Sequence, residues 1–109
     1  MTLDLTITSL SRAYRSGTLT PGSLVETLLA GRDKHAANNI WISTVDDASL
    51  RARARELEAL DPASLPLYGI PFAIKDNIDF AGLTTTAGCP AFAYQPTISA
   101  PVVQALPMV

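Results

Sequence analysis

A chain of 109 residues has the size of one small domain or of part of one, and at 48% hydrophobic with 17% charged residues it is too apolar for a disordered tail. Its net charge of −2 and the gathering of basic residues around Arg51 to Arg55 leave no stripe able to follow a phosphate backbone, which argues against a nucleic-acid partner. The single cysteine, Cys89, cannot close an intrachain disulfide, Met1 to Leu5 show no signal-peptide pattern, and no apolar run nears the ~18 to 20 residues that cross a bilayer, so the expectation is a cytoplasmic protein without a membrane partner.

In chain order, Thr8 to Gly17 opens with hydroxyl residues, places Leu10, Ala13 and Tyr14 on one face, and ends at a glycine suited to the left-handed position after a helix. A short helix is predicted there. Thr20-Pro21 supplies a cap and a proline at the first helical position, and Leu24, Val25, Leu28 and Leu29 make an apolar stripe, predicting a second helix over about 20–35. Ile40 to Val45 is β-branched and aromatic and reads as a short strand before Asp46-Asp47, which can cap the next element. Leu50, Ala54 and Leu57 then recur at helical spacing up to Asp61-Pro62. The arginines of this third helix read as its solvated face, with Arg55 and Glu58 spaced for a weak pair.

From Pro62 onward prolines, glycines and threonines are frequent, and the clearest regular element is Ile70 to Lys75, an apolar run read as a strand. The loop from Asp76 to Tyr94 is long enough to be either functional or disordered, and its threonines, Cys89 and Phe92 argue for order. Ser99-Ala100-Pro101 can cap a helix through Val102, Val103 and Leu106 that Pro107 interrupts, so the end of the sequence reads as premature.

Lys75 closes the strand and precedes Asp76-Asn77-Ile78-Asp79. One reading is a lysine snorkelling to water among solvated acids. The other is a base: desolvation in a partly buried site lowers the reference pKa of ~10.4, so that a neutral amine serves a nearby hydroxyl. The acids do not form a calcium loop, because counting from Asp76 the sixth and twelfth positions are Ala81 and Ala87 rather than glycine and glutamate. One cysteine and one histidine, Cys89 and His35, give zinc too few soft ligands. A Cys89–His35 hydrolase is formally possible, although His35 closes a surface helix and a cysteine is more often a small buried hydrophobe.

The stretch Pro66-Leu-Tyr-Gly-Ile-Pro-Phe-Ala-Ile-Lys-Asp-Asn-Ile-Asp79 resembles the strand and loop that carry the base lysine in the amidase signature family, with the pattern Gly-(Ile/Val)-Pro-x-x-(Ile/Val)-Lys-Asp-Asn. Lys75 falls on that lysine. Gly82-Leu-Thr-Thr-Thr86 and Ala100-Pro-Val-Val103 resemble the next landmarks, in order. Within the family, Thr20-Pro-Gly-Ser-Leu-Val25, Trp41-Ile-Ser43 and Cys89-Pro-Ala-Phe-Ala-Tyr94 look like the allophanate hydrolase branch rather than the glutamyl-tRNA amidotransferase branch. Ser99 departs from the aspartate usual there, a mild change for a helix cap, and Pro107 departs from a helix that the family continues.

The resemblance implies an α/β fold class, a mixed sheet with packed helices, of which this chain holds the N-terminal portion: 1–61 a mainly helical lead-in and 62–109 the strand and loop with the lysine. It implies a triad of serine, cis-serine and lysine that hydrolyses a C–N amide bond through an acyl-enzyme, with Lys75 as the base and both serines downstream of this sequence. The implied substrate is a small amide, allophanate, made by a biotin-dependent urea carboxylase. No cofactor or metal is implied for this stretch, the biotin belonging to the carboxylase, and the parent is expected to be a homodimer. Another amidase activity, or a truncated scaffold without catalysis, remains open.

Overall fold

The computed structural model describes residues 3–106. The interruption expected at Pro107 lies outside the described residues. Thr6 caps α1 (Ile7–Ser16) by accepting the Ser9 N–H, two residues earlier than the hydroxyl pattern at Thr8 suggests, and Gly17 ends it in the left-handed conformation at φ 76°. Thr20 and Ser23 exchange side-chain and backbone hydrogen bonds in a capping box, and with Pro21 in the first turn they start α2 (Pro21–Lys34). Asp46 accepts the Ser49 N–H to start α3 (Asp47–Glu58), and a short α4 (Pro101–Ala105) follows much later. Single 3-10 turns occupy Ala36–Asn38 and Pro90–Phe92. No helix among the described residues is long and apolar enough to cross a membrane.

Helices α2 and α3 lie antiparallel, and charged side chains tie them along their length. Arg32 near the end of α2 grips Asp47 at the start of α3 with two bonds of 2.8 and 3.3 Å, and Arg51 grips Glu26 at 2.6 and 3.2 Å. At the other end Glu58 accepts the Gly22 N–H at 2.8 Å, so a carboxylate meets the positive end of the α2 dipole. The pairing is therefore between helices rather than the Arg55–Glu58 pair expected along α3: within α3 it is Arg53 that reaches Glu56, at 2.9 Å. Apart from Arg32, at 24%, the side chains of these ion pairs are 41% exposed or more, so the pairs set register more than they stabilise.

The core is built from Leu10 and Tyr14 of α1, Leu24 of α2 and Tyr68, with Leu19, Leu28, Leu57, Leu65 and Ile70 packed around them. Tyr14 and Tyr68 meet edge to face at 5.3 Å. Both phenols are satisfied: Tyr14 donates to the Gly69 carbonyl at 2.7 Å and Tyr68 to the Leu57 carbonyl at 2.8 Å. Burial pushes the Tyr14 hydroxyl up to about 12, so it remains a donor throughout the physiological range.

The expected mixed sheet is not present among the described residues. Residues 40–45 and 70–75 carry no regular secondary structure, with a bend at Ile42, and the one β-bridge among the described residues joins Thr85 to Tyr94 in antiparallel fashion. A strand is a pairing as well as a conformation, and the ladder hydrogen bonds need a partner backbone alongside. Several of their apolar side chains face outward: Ile40 is 59% exposed, Trp41 52%, Ile42 66% and Phe72 50%. Among the described residues seven apolar side chains are buried against twelve large ones exposed, and the radius of gyration is 15.0 Å. A compact chain of this length would have about 13 Å.

So much uncovered apolar surface has a measurable consequence. Purified by itself, the 109-residue chain is expected to bind a hydrophobic dye and to self-associate in sedimentation experiments. A monomer that melts in one sharp two-state transition without binding dye would contradict this.

Candidate functional site

Gly69 is where the chain leaves the core. Its φ of 65° is left-handed, and the Tyr14 ring fills the space that a Cβ would need, the nearest ring atoms lying 2.6 Å from that position. From there residues 70–75 run without regular secondary structure, with Ile70 and Ile74 half-buried and Pro71, Phe72 and Ala73 exposed, to Lys75. The Lys75 carbonyl accepts the Ile78 N–H at 2.9 Å, which closes a tight turn immediately after the lysine.

The two aspartates of this turn are not the solvated acids that the sequence suggests. The Asp76 carboxylate accepts the Thr86 N–H at 3.2 Å, the Thr86 hydroxyl and the Gly88 N–H at 3.4 Å, while its carbonyl accepts the Ala87 N–H at 2.9 Å. The Thr86 hydroxyl, then the backbone N–H groups, hold the Asp76 carboxyl below the usual carboxylate range. Their contribution to the turn is complete above the ordinary carboxylate pKa and is lost as the pH falls through the lowered one. Three residues on, Asp79 accepts the hydroxyls of buried Thr85, at 3.0 Å, and of Tyr94, and its carbonyl accepts the Ala100 N–H at 3.0 Å. The bond to Asp79 raises the Tyr94 phenol above its ordinary value, because ionising it would set two anions together.

The loop from 76 to 94 is therefore ordered. Thr85 and Tyr94 exchange backbone bonds of 2.8 and 3.0 Å, and Phe92 meets Tyr94 edge to face at 5.7 Å. Ser99 does not cap α4 with its side chain as expected. Its Oγ accepts the Ala81 N–H at 2.8 Å instead, tying the far end of the loop down, while Ala100 occupies the cap position.

Lys75 itself is exposed and takes part in none of the ion pairs among the described residues. The partly buried environment expected of a base lysine is thus not made by these residues. The serines stand elsewhere: Ser43 is exposed in the unpaired 40–45 segment, and Ser49 donates its hydroxyl to Asp46 at 2.7 Å. His35 ends α2 and Cys89 opens the Pro90–Phe92 turn, both exposed, with no hydrogen bond between them. Of two shallow depressions on the surface, one follows α1 past Arg12 and Arg15 and the other runs from Arg32 to Trp41, and neither includes Lys75. What the site offers is an amine at the tip of an apolar segment, on a turn bolted at both ends to the loop behind it.

The urea amidolyase of Saccharomyces cerevisiae is 43% identical over 84 residues, which is 76% of this chain and 5% of that protein. A glutamyl-tRNA(Gln) amidotransferase polypeptide of Deinococcus deserti is 32% identical over 88 residues, 81% of this chain and 18% of that one. Among solved structures, Kluyveromyces lactis allophanate hydrolase superposes with a TM-score of 0.65 at 34% identity, over 90% of this chain and 16% of that chain. The chain thus spans less than a fifth of the length of these relatives. The family model described as Amidase matches residues 23–108, which takes in most of α2, all of α3 and the segment leading to Lys75, and the chain belongs to the amidase family.

Proposed function

We propose that this chain is the N-terminal portion of an amidase domain, 1–61 the helical lead-in and 62–109 the lysine-bearing part, and that the protein is a cytoplasmic hydrolase acting on allophanate. The observation that carries the proposal is Lys75 at the end of an apolar segment and on a turn fixed by Asp76 and Asp79, in a chain so similar to urea amidolyase and allophanate hydrolase. The exposed faces of 40–45 and 70–75 suit strands of a mixed sheet completed by the remainder of the domain. Burial of Phe72 in that sheet would also carry Lys75 out of water, the condition for a neutral amine.

Chemically, the neutral Lys75 amine takes a proton, through a bridging serine hydroxyl, from a nucleophilic serine supplied by the rest of the domain. The serine oxygen bonds to the amide carbon, the C–N bond breaks, and ammonia leaves with a proton. Water then releases the acyl group, which for allophanate goes on to ammonia and carbon dioxide. No cofactor enters, and the parent is proposed to act as a homodimer linked in pathway to a biotin-dependent urea carboxylase that makes its substrate.

The similarity to a glutamyl-tRNA amidotransferase keeps glutamine amide as the second substrate reading. Ammonia release separates the two. The full-length protein should turn over allophanate far faster than glutamine, whereas the 109-residue chain, with a base but no nucleophile, should release none above buffer. Preference for glutamine would favour the second reading, and a full-length protein that acts on neither would favour a scaffold.

A further inference from the structure

Lysine is a poor residue to aim. Four rotatable bonds separate its backbone from its amine, so a lysine base that must stand within ~3 Å of a hydroxyl depends on how firmly its Cα is held. In this chain that hold comes from the next residue. Asp76 gathers four donors from Thr86, Ala87 and Gly88, a segment ten residues and more away in sequence, and uses both its carboxylate and its carbonyl to do so. Because the peptide between Lys75 and Asp76 is planar, pinning Asp76 on both sides restricts the orientation of the Lys75 carbonyl as well, which the Ile78 N–H then completes.

The segment on the other side is shaped to receive it. Ala87 is held at φ 51°, a left-handed conformation that is strained for a residue with a Cβ. There its N–H reaches the Asp76 carbonyl, and the Thr86 hydroxyl also accepts the Gly88 N–H at 3.2 Å. A strained residue persists where its surroundings over-determine it, and here those surroundings are Asp76.

We propose that Asp76, with Thr86 as its partner, is the positioning residue for Lys75: it fixes the direction in which the amine leaves the turn. This rests on the reading of Lys75 as the base.

The test uses full-length protein, with ammonia release followed across pH. Asp76→Asn keeps the size but loses the charge and one acceptor oxygen. It should lower kcat by about 10- to 100-fold with KM within about twofold. Thr86→Val, which removes only the hydroxyl, should lower kcat by about tenfold, and Thr86→Ser should recover most of that loss. A merely structural aspartate would lower the melting temperature while the folded variant kept its kcat. Lys75→Ala is the control that separates the two ideas. If it abolishes turnover while the Asp76 and Thr86 variants keep wild-type kcat, the positioning role is wrong and the base survives. If Lys75→Ala itself stays active, the base reading fails and the positioning role fails with it. Should Asp76→Asn not fold, the Thr86 pair decides by itself: equal kcat for valine and serine overturns the proposal.

Discussion

Gly69→Ala is expected to be the most destabilising single-methyl change in the chain. Two costs add there. A left-handed φ of 65° costs alanine about 1 to 2 kcal/mol wherever it occurs. The new Cβ would also sit 2.6 Å from the Cε2 and Cζ atoms of Tyr14 and 2.7 Å from its oxygen. That ring cannot retreat freely: it is 4% exposed, it meets Tyr68 edge to face, and its hydroxyl is bonded to the carbonyl of Gly69 itself. Overpacking a rigid site costs a further 1 to 3 kcal/mol, roughly. Gly17→Ala provides the comparison, since Gly17 shares the positive φ, at 76°, but has open space where the Cβ would go. Thermal unfolding of full-length protein should therefore show a much larger fall in Tm for Gly69→Ala than for Gly17→Ala. Equal shifts would mean that the Tyr14 ring yields, and that the junction between core and lysine segment is looser than its contacts imply.

The comparison of those two glycines also marks what the sequence discloses. Gly17 is legible because a helix end is a local event: a stripe stops, a glycine follows, and φ 76° results. The same holds for Thr20-Pro21 and for Asp46, whose caps act over three residues. Gly69 is not legible in this way, because its conformation answers to Tyr14, fifty-five positions earlier. The strands read at 40–45 and 70–75 fail for a related reason. Composition favours extended backbone, but a strand also needs pairing, which is non-local, and no partner strand lies among the described residues. The arginines of α3 are legible as charged and exposed, yet the partners of Arg51 and of Asp47 stand on α2, where helical spacing cannot reach.

The lysine site divides along the same line. Lys75 is recognisable from its motif, whereas the work of its neighbours is not, because Asp76 and Asp79 bond to Thr86, Thr85 and Tyr94 across six to fifteen residues. One signal was available. Aspartates in a turn seek nearby N–H and hydroxyl donors, and three consecutive threonines followed by Ala-Gly supply both. Ser99 differs for the opposite reason: the cap pattern before Pro101 is present, but its hydroxyl oxygen accepts the Ala81 N–H instead.

Lys75→Ala in full-length protein is expected to lower kcat/KM for allophanate by about 10² to 10⁴-fold, the range that a positioned general base contributes. Lys75→Arg should do no better. A guanidinium stays protonated at any working pH, so it keeps the charge and the length while losing the ability to accept a proton. This separates the two meanings of an exposed lysine at the end of an apolar run. If Lys75 serves only to carry its charge into water, arginine does the same, and the change should stay within about half a kcal/mol with turnover nearly intact. If the amine must be neutral, arginine is as damaging as alanine. The melting temperature of each variant guards against a loss that is only unfolding, and little change is expected because Lys75 is exposed and outside the ion pairs that tie α2 to α3. An arginine variant that keeps most of the wild-type kcat/KM would remove Lys75 from the chemistry and leave Asp76 and Asp79 as the builders of a loop with no base to aim.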